Sequence, residues 1–237
     1  MNFPRGSRDA NVGGGPQGWA VLRLLILGLM LALVGGAAGQ LDKLQSEAQA
    51  RYGQRGATIM AEWAKMLAEN KGQDDESLLK VVNEFVNRRV LYGEDAVIWQ
   101  QPDYWATPLE TLGRGVGDCE DFSIAKYVAL LQLGVSNDKL RLIYVRAKSG
   151  VGGASVAHMV LGYFATPEDE PLILDNLITS VRTASSRKDL QPVFSFNTNG
   201  LWAGGQSGGD PTARLSQWRS VLERMRQEGW TLPTPKS

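Results

Sequence analysis

The sequence has one cysteine, Cys119, and one histidine, His158, in 237 residues. A lone cysteine excludes an internal disulfide and every CxxC metal or redox site. An excess of charge is missing too, since 25 Lys and Arg stand against 25 Asp and Glu. That balance removes the electrostatic case for a nucleic-acid partner or an anionic membrane surface. Beyond residue 40 there is no internal repeat and no low-complexity tract, which excludes a repeat architecture. Long apolar runs are absent as well. The uncharged stretch Leu24–Val34, "LLILGLMLALV", is shorter than the roughly 20 residues a spanning helix needs.

That stretch follows Arg5 and Arg8 and precedes the small residues "GGAAGQ" at 35–40. A basic region, a short apolar core and a small-residue site form the order of a secretory signal. The expectation is a signal peptide over 1–39, cut near Gly39 or retained as an uncleaved N-terminal anchor, and export to the periplasm. Residues 40–237 then make a single domain of about 200 residues, expected to be a monomer.

Apolar periodicity predicts helices over 41–51 and 56–69, the second through Met60, Trp63, Met66 and Leu67. Ser77 or Asp75 is placed to cap a helix over 78–91, which carries Leu78, Val82, Phe85 and Val86 on one face. The aromatic and proline-containing segment up to "GRGVG" reads as loop. Helical spacing returns over 118–133, with Phe122, Ala125, Val128, Ala129 and Leu133 together. The period then changes to that of strands at 139–147, 156–164, 171–177 and 191–197. A last amphipathic helix carries Leu215, Trp218, Leu222 and Met225 and stops at Gly229. Helices followed by antiparallel strands give an α+β fold.

The chemistry concentrates in "GVGDCEDF" at 115–122. Asp118 follows Gly117 and reads as a helix N-cap, with Asp121 three residues on in a near capping-box arrangement. Cys119 then lies in the first helical turn, where free N–H groups and the helix dipole favour a thiolate and face a developing oxyanion. The other reading of a lone cysteine is a small buried hydrophobe. Glycines 113, 115 and 117 allow close backbone approach.

His158 and Asp175 flank the turn "ATPEDE" at 165–170. A hairpin centred between Thr166 and Pro167 sets them opposite each other on one face. Asp175 then orients the imidazole, which takes the thiol proton. Alternatively Asp175 ends its strand and caps a turn with Asn176. Trp99, Tyr104 and Trp105 either line a cleft or pack the core, and Trp202 is expected between the sheet and a helix.

"GDCEDFSIAKY", "AHMVL", "LILDNL", "PVFSFN" and "GLW", with "VNEFVNRRV" and "DYWATPLE" upstream, carry a resemblance. Over roughly residues 44–225 the chain resembles the bacterial transglutaminase-like cysteine proteinases, in particular periplasmic members that process adhesins. The resemblance implies a papain-like fold in the transglutaminase manner, with N-terminal helices packed on an antiparallel sheet. It implies Cys119 as nucleophile, His158 as base and Asp175 as orienter. It further implies a Ca²⁺ requirement, cleavage of a large surface adhesin near its N-terminus at an Ala-Ala site, and release of biofilm cells. An inner-membrane receptor that senses cyclic di-GMP would sequester the protease.

In that light Asp118, Glu120 and Asp121 offer hard oxygen ligands to Ca²⁺. The cation would offset carboxylates that otherwise oppose the thiolate. The alternative is plain helix capping, worth about 0.3–1 kcal/mol for each acidic residue in a first turn. Two other functions stay open here: acyl transfer to an amine through the same thioester, and a non-catalytic calcium-responsive binding protein.

Overall fold

The computed structural model describes residues 16–148, 154–204 and 206–233; Arg5 and Arg8 of the expected signal segment lie outside them. The chain divides between Gln40 and Leu41 into two compact units. Among the described residues no helix is long and apolar enough to cross a membrane.

Helix α1 (Pro16–Asn70) crosses that division. It breaks at Gly53, whose φ of 70° and ψ of −166° leave the helical region and separate the two helices predicted around it. Beyond the break Met60, Trp63, Met66 and Leu67 are buried, as the spacing requires. Helix α2 (Asp75–Arg89) is capped by Asp74, not by Ser77 or Asp75. Asp75 is already helical, whereas Asp74 is extended and its carboxylate accepts from the Ser77 amide. A cap must sit just outside the helix to reach its free N–H groups.

After α2, which ends before the predicted 91, come β1 (Leu91–Tyr92) and α3 (Asp95–Ile98), and the segment predicted as loop is ordered into α4 (Pro108–Arg114) and β2 (Val116–Gly117). Helix α4 starts with a full capping box: Thr107 accepts from the Glu110 amide and Glu110 accepts from the Thr107 amide. Gly115, at φ 68°, ends it in the left-handed conformation that a glycine adopts without strain. Strands β1 and β2 pair in parallel, Leu91 with Val116 and Tyr92 with Gly117. That pairing fixes the chain two residues before helix α5 (Cys119–Gln132).

The second half is an antiparallel sheet, β3 (Leu140–Lys148), β4 (Ser155–Tyr163), β5 (Leu172–Leu174), β6 (Arg182–Thr183), β7 (Leu190–Phe196), β8 (Leu201–Ala203) and β9 (Gln206–Gly209), in the order β6-β5-β4-β3-β7-β8-β9. The short α6 (Pro211–Arg214) and then α7 (Ser216–Glu228) close the chain, with Gly229 as the C-cap. The main core lies between the helices and one sheet face. It joins Trp63, Leu79, Val82, Ile124, Val128 and Met225 to Leu142, Leu161, Leu174 and Phe196. The alternate residues Ile143, Val145, Val160 and Ile173 form a smaller cluster on the other face. Trp202 does not bridge sheet and helix as expected. It stacks under the guanidinium of the half-buried Arg141, 4.2 Å from the ring centre.

Candidate active site

Helix α5 sets Cys119, the expected nucleophile, in its first turn. Asp118 stands at its N-cap with extended backbone, but its side chain makes no capping hydrogen bond. Asp121 instead turns back, and its Oδ1 accepts from the Ala106 amide at 2.7 Å. Gly117 makes room for this: a Cβ there would sit 2.7 Å from both Cβ and Oδ2 of Asp121. The capping box expected from the spacing is thus replaced by a tie from α5 to the loop before α4.

Cys119 is partly buried and its Sγ donates to Glu120 Oε2 at 2.7 Å. Burial pushes the thiol far above its ordinary range, and the neighbouring Glu120 and Asp118 carboxylates push it further; the Met159 amide pulls the other way. Strand β4 runs alongside, with Ser123 Oγ donating to the Met159 carbonyl at 3.1 Å. The thiol therefore faces the residue after His158.

Three carboxylates gather at this helix start. Asp95, Asp118 and Glu120 each offer an oxygen within 4.8 Å of the others. Asp121 is not one of the three, although Asp118 and Glu120 are. Burial raises Asp95 to about 6 despite the Tyr104 amide that donates to it, with Glu120 and Asp103 adding repulsion. Burial likewise raises Asp118, assisted by the charges of Glu120, Asp121 and Asp95. Asp95 Oδ1, Asp118 Oδ1 and Asp121 Oδ2 are buried without a hydrogen-bond partner. Partly buried, mutually repelling carboxylates with unpartnered oxygens are the donor set that a hard divalent cation fits. Asp95 carries no motif in the sequence. Only the fold of α3 against the start of α5 reveals it.

On the other side, His158 Nε2 lies 2.8 Å from Asp175 Oδ1, and both side chains are buried. The hairpin differs from the one expected. Leu161 pairs with Leu174 and Tyr163 with Leu172, a shift of two residues that sets Asp175 opposite Val160. Because the side-chain period is two, His158 and Asp175 keep a common face and meet diagonally. Asp175 Oδ1 also accepts from the Leu177 amide at 3.1 Å, and Oδ2 from Arg187 Nη2 at 2.7 Å. Burial opposes its ionisation, but His158, the Leu177 amide and Arg187 outweigh that and hold it at about 2. Asn87 of α2 donates to its carbonyl at 2.9 Å. Asn87 and Arg187 had no signal in the sequence.

Residues 52–189 match the bacterial transglutaminase-like cysteine proteinase family, BTLCP. The chain belongs to this family. Its helices and antiparallel sheet superpose on LapG of Legionella pneumophila in three solved forms. The EGTA-treated form is 37% identical, with a TM-score of 0.69 over 78% of this chain and 97% of that one. A further LapG structure gives 38%, 0.68, 78% and 95%. The calcium-bound form gives 37%, 0.67, 78% and 98%. No curated protein matches the chain. Cys119 is the chain's one cysteine and so the one candidate for the nucleophile of such a proteinase. Of the aromatics before α4, Trp105 is core: it is buried and stacks on Phe196 at 5.6 Å. Trp99 and Tyr104 pack on each other at 4.6 Å.

Proposed function

We propose that the chain is a calcium-dependent periplasmic cysteine endopeptidase. It cuts the N-terminal region of a large surface adhesin at an Ala-Ala site and so releases biofilm cells. A cyclic-di-GMP-responsive inner-membrane receptor holds it back when that signal is high. The observations that support the catalytic part are the buried His158–Asp175 pair on β4, the hydrogen bond by which α5 is tied to β4, and the hydrogen bond of Cys119 Sγ to the acidic cluster at the start of α5. The leader-like N-terminus supports export. The family motifs around Cys119 and His158 support the adhesin substrate and the receptor, and the calcium-bound form of LapG supports the metal.

In this reading Asp95, Asp118 and Glu120 hold Ca²⁺, with Asp121 next to them. When bound, the ion supplies positive charge that offsets the carboxylates around the thiol. Glu120, which accepts from Sγ in this structure, would serve as a ligand there and compete less for the thiol proton that His158 takes. With Nε2 held by Asp175, Nδ1 is the nitrogen that takes the thiol proton. Sγ attacks the scissile carbonyl carbon, and the free N–H groups of the first turn of α5 face the oxyanion. The imidazolium returns its proton to the leaving amine, and water, with His158 as base, hydrolyses the thioester.

The test is cleavage of a polypeptide bearing an Ala-Ala adhesin-type site, with Ca²⁺ and then with chelator. Cleavage lost with chelator and in Cys119→Ala is the expected result. Cleavage that survives chelation removes the metal and leaves the acidic residues as a helix terminus. No cleavage by folded protein in Ca²⁺ overturns the substrate assignment.

A further inference from the structure

We propose that Arg187 is a positioning residue of this proteinase: it holds one oxygen of Asp175, leaves the other to His158, and tempers the charge that His158 faces. The proposal rests on the reading of His158 as the base.

Arg187 follows the 3₁₀ turn Ala184–Ser186 between β6 and β7, and its amide bonds back to the Ala184 carbonyl. Its side chain is 2% exposed and reaches across to Asp175, whose side chain is fully buried. The guanidinium does two jobs at once. Nε and Nη2 grip Asp189 at 3.0 and 2.7 Å, which orients the planar group. The same Nη2 reaches Asp175 Oδ2 at 2.7 Å. Asp175 is thereby pinned at both oxygens, and its Oδ1 points at His158 Nε2. A buried carboxylate held only by the imidazole would retain the imidazolium strongly, because an opposite charge at contact favours the protonated form. A base that must take and return a proton near neutral pH works best with less retention. Arg187 supplies the offset.

The other charged groups around this pair are few. Lys126 of α5 is buried within the field of Asp175, and burial lowers it to about 7. Asp189 is on the Arg187 side, and the carboxylates of Asp118 and Glu120 are around Cys119 at the start of α5. Changing Arg187 removes none of these groups, although Asp189 then loses its ion-pair partner.

His158 is the chain's one histidine, so its ring resonance in an NMR titration of the full protein reads this field without a substrate. Arg187→Gln should move its midpoint up by about 1 pH unit. Arg187→Lys keeps the charge and should return at least half of that shift. Asp189→Asn should move the midpoint down, because an uncompensated guanidinium leans further onto Asp175. Asp189 is 35% exposed, so this last variant decides the matter if Arg187→Gln does not fold. An unchanged midpoint in folded Asp189→Asn and Arg187→Gln, or no return in Arg187→Lys, overturns the proposal and leaves Arg187 as a packing residue. A wrong assignment of the protease shows separately, as cleavage by Cys119→Ala.

Discussion

Asp175 and the carboxylates at the start of α5 are built on opposite terms. Asp175 has a partner at each oxygen and lies at about 2. Asp95, Asp118 and Asp121 each keep a buried oxygen without a partner, and all three are raised. The same residue type is a finished support on one side and an unfinished site on the other. A satisfied carboxylate fixes geometry, and an unsatisfied one stores repulsion that a cation can relieve. The thiol is hydrogen-bonded to the unfinished side through Glu120.

The largest expected difference comes from removing one charge on the finished side. Asp175→Asn leaves the Arg187 guanidinium buried and half-paired, which should cost about 3–5 kcal/mol in a urea melt. Proteolysis should fall by about 10²–10⁴-fold, since His158 loses its orienter. Little change in stability would mean that Asp189 alone satisfies Arg187 and that the contrast between the two sides is overstated.

Opposite pH slopes are the next effect, on the order of 2 kcal/mol on each side. Asp175 is lowered in the folded state, so its contribution is present above pH ~4 and is lost as pH falls through about 2. Asp95 is raised to about 6, so in chelator its contribution is present below pH ~4 and is lost as pH rises through about 6. Thermal melts across pH 2–8 should therefore show a maximum on the acid side in chelator. Calcium should flatten the upper slope and leave the lower one alone. A calcium effect on the acid limb alone would reverse this assignment.

Gly117→Ala probes the joint between the two sides. Its Cβ would collide with Asp121 at 2.7 Å. Overpacking of that kind costs about 1–3 kcal/mol, and the tie from Asp121 to Ala106 should loosen with it. An unchanged melting temperature, with calcium response intact, would show that the α5 start can move aside freely.

What was legible in the sequence follows the range of the interactions. The helices through Trp63, Val82, Val128 and Trp218 and the four main strands were readable, because their apolar spacing repeats over a dozen residues or fewer. Cys119 at a helix start and His158 in a strand were readable for the same local reason. The hairpin was misjudged by two residues, yet the face was kept, since only an odd slip would have turned His158 away from Asp175. The capping box of Thr107 and Glu110 was present in "TPLE" and was hidden among aromatics that looked like loop. Asp95 and Arg187 were not legible. Each acts across a gap in sequence that only the packed fold closes, at 23 residues to Asp118 and 12 to Asp175.

The smallest effect is the most discriminating between the two sides. Asp118 Oδ1 is buried without a partner, and its charge faces Glu120, Asp121 and Asp95. Replacing it with asparagine removes the carboxyl group whose ionisation burial and its neighbours oppose. In chelator Asp118→Asn should raise stability by about 1 kcal/mol, where Asp175→Asn loses several times that. In calcium the order should reverse, because the variant has one fewer charged oxygen for the cation and should lose most of the calcium-induced rise in melting temperature. The thiol provides a second readout in the same variant. With less negative charge nearby, Cys119 should react faster with a small alkylating reagent in chelator than the wild type does. If Asp118→Asn is destabilised in chelator and still responds fully to calcium, Asp118 is a structural partner, and both sides are built alike.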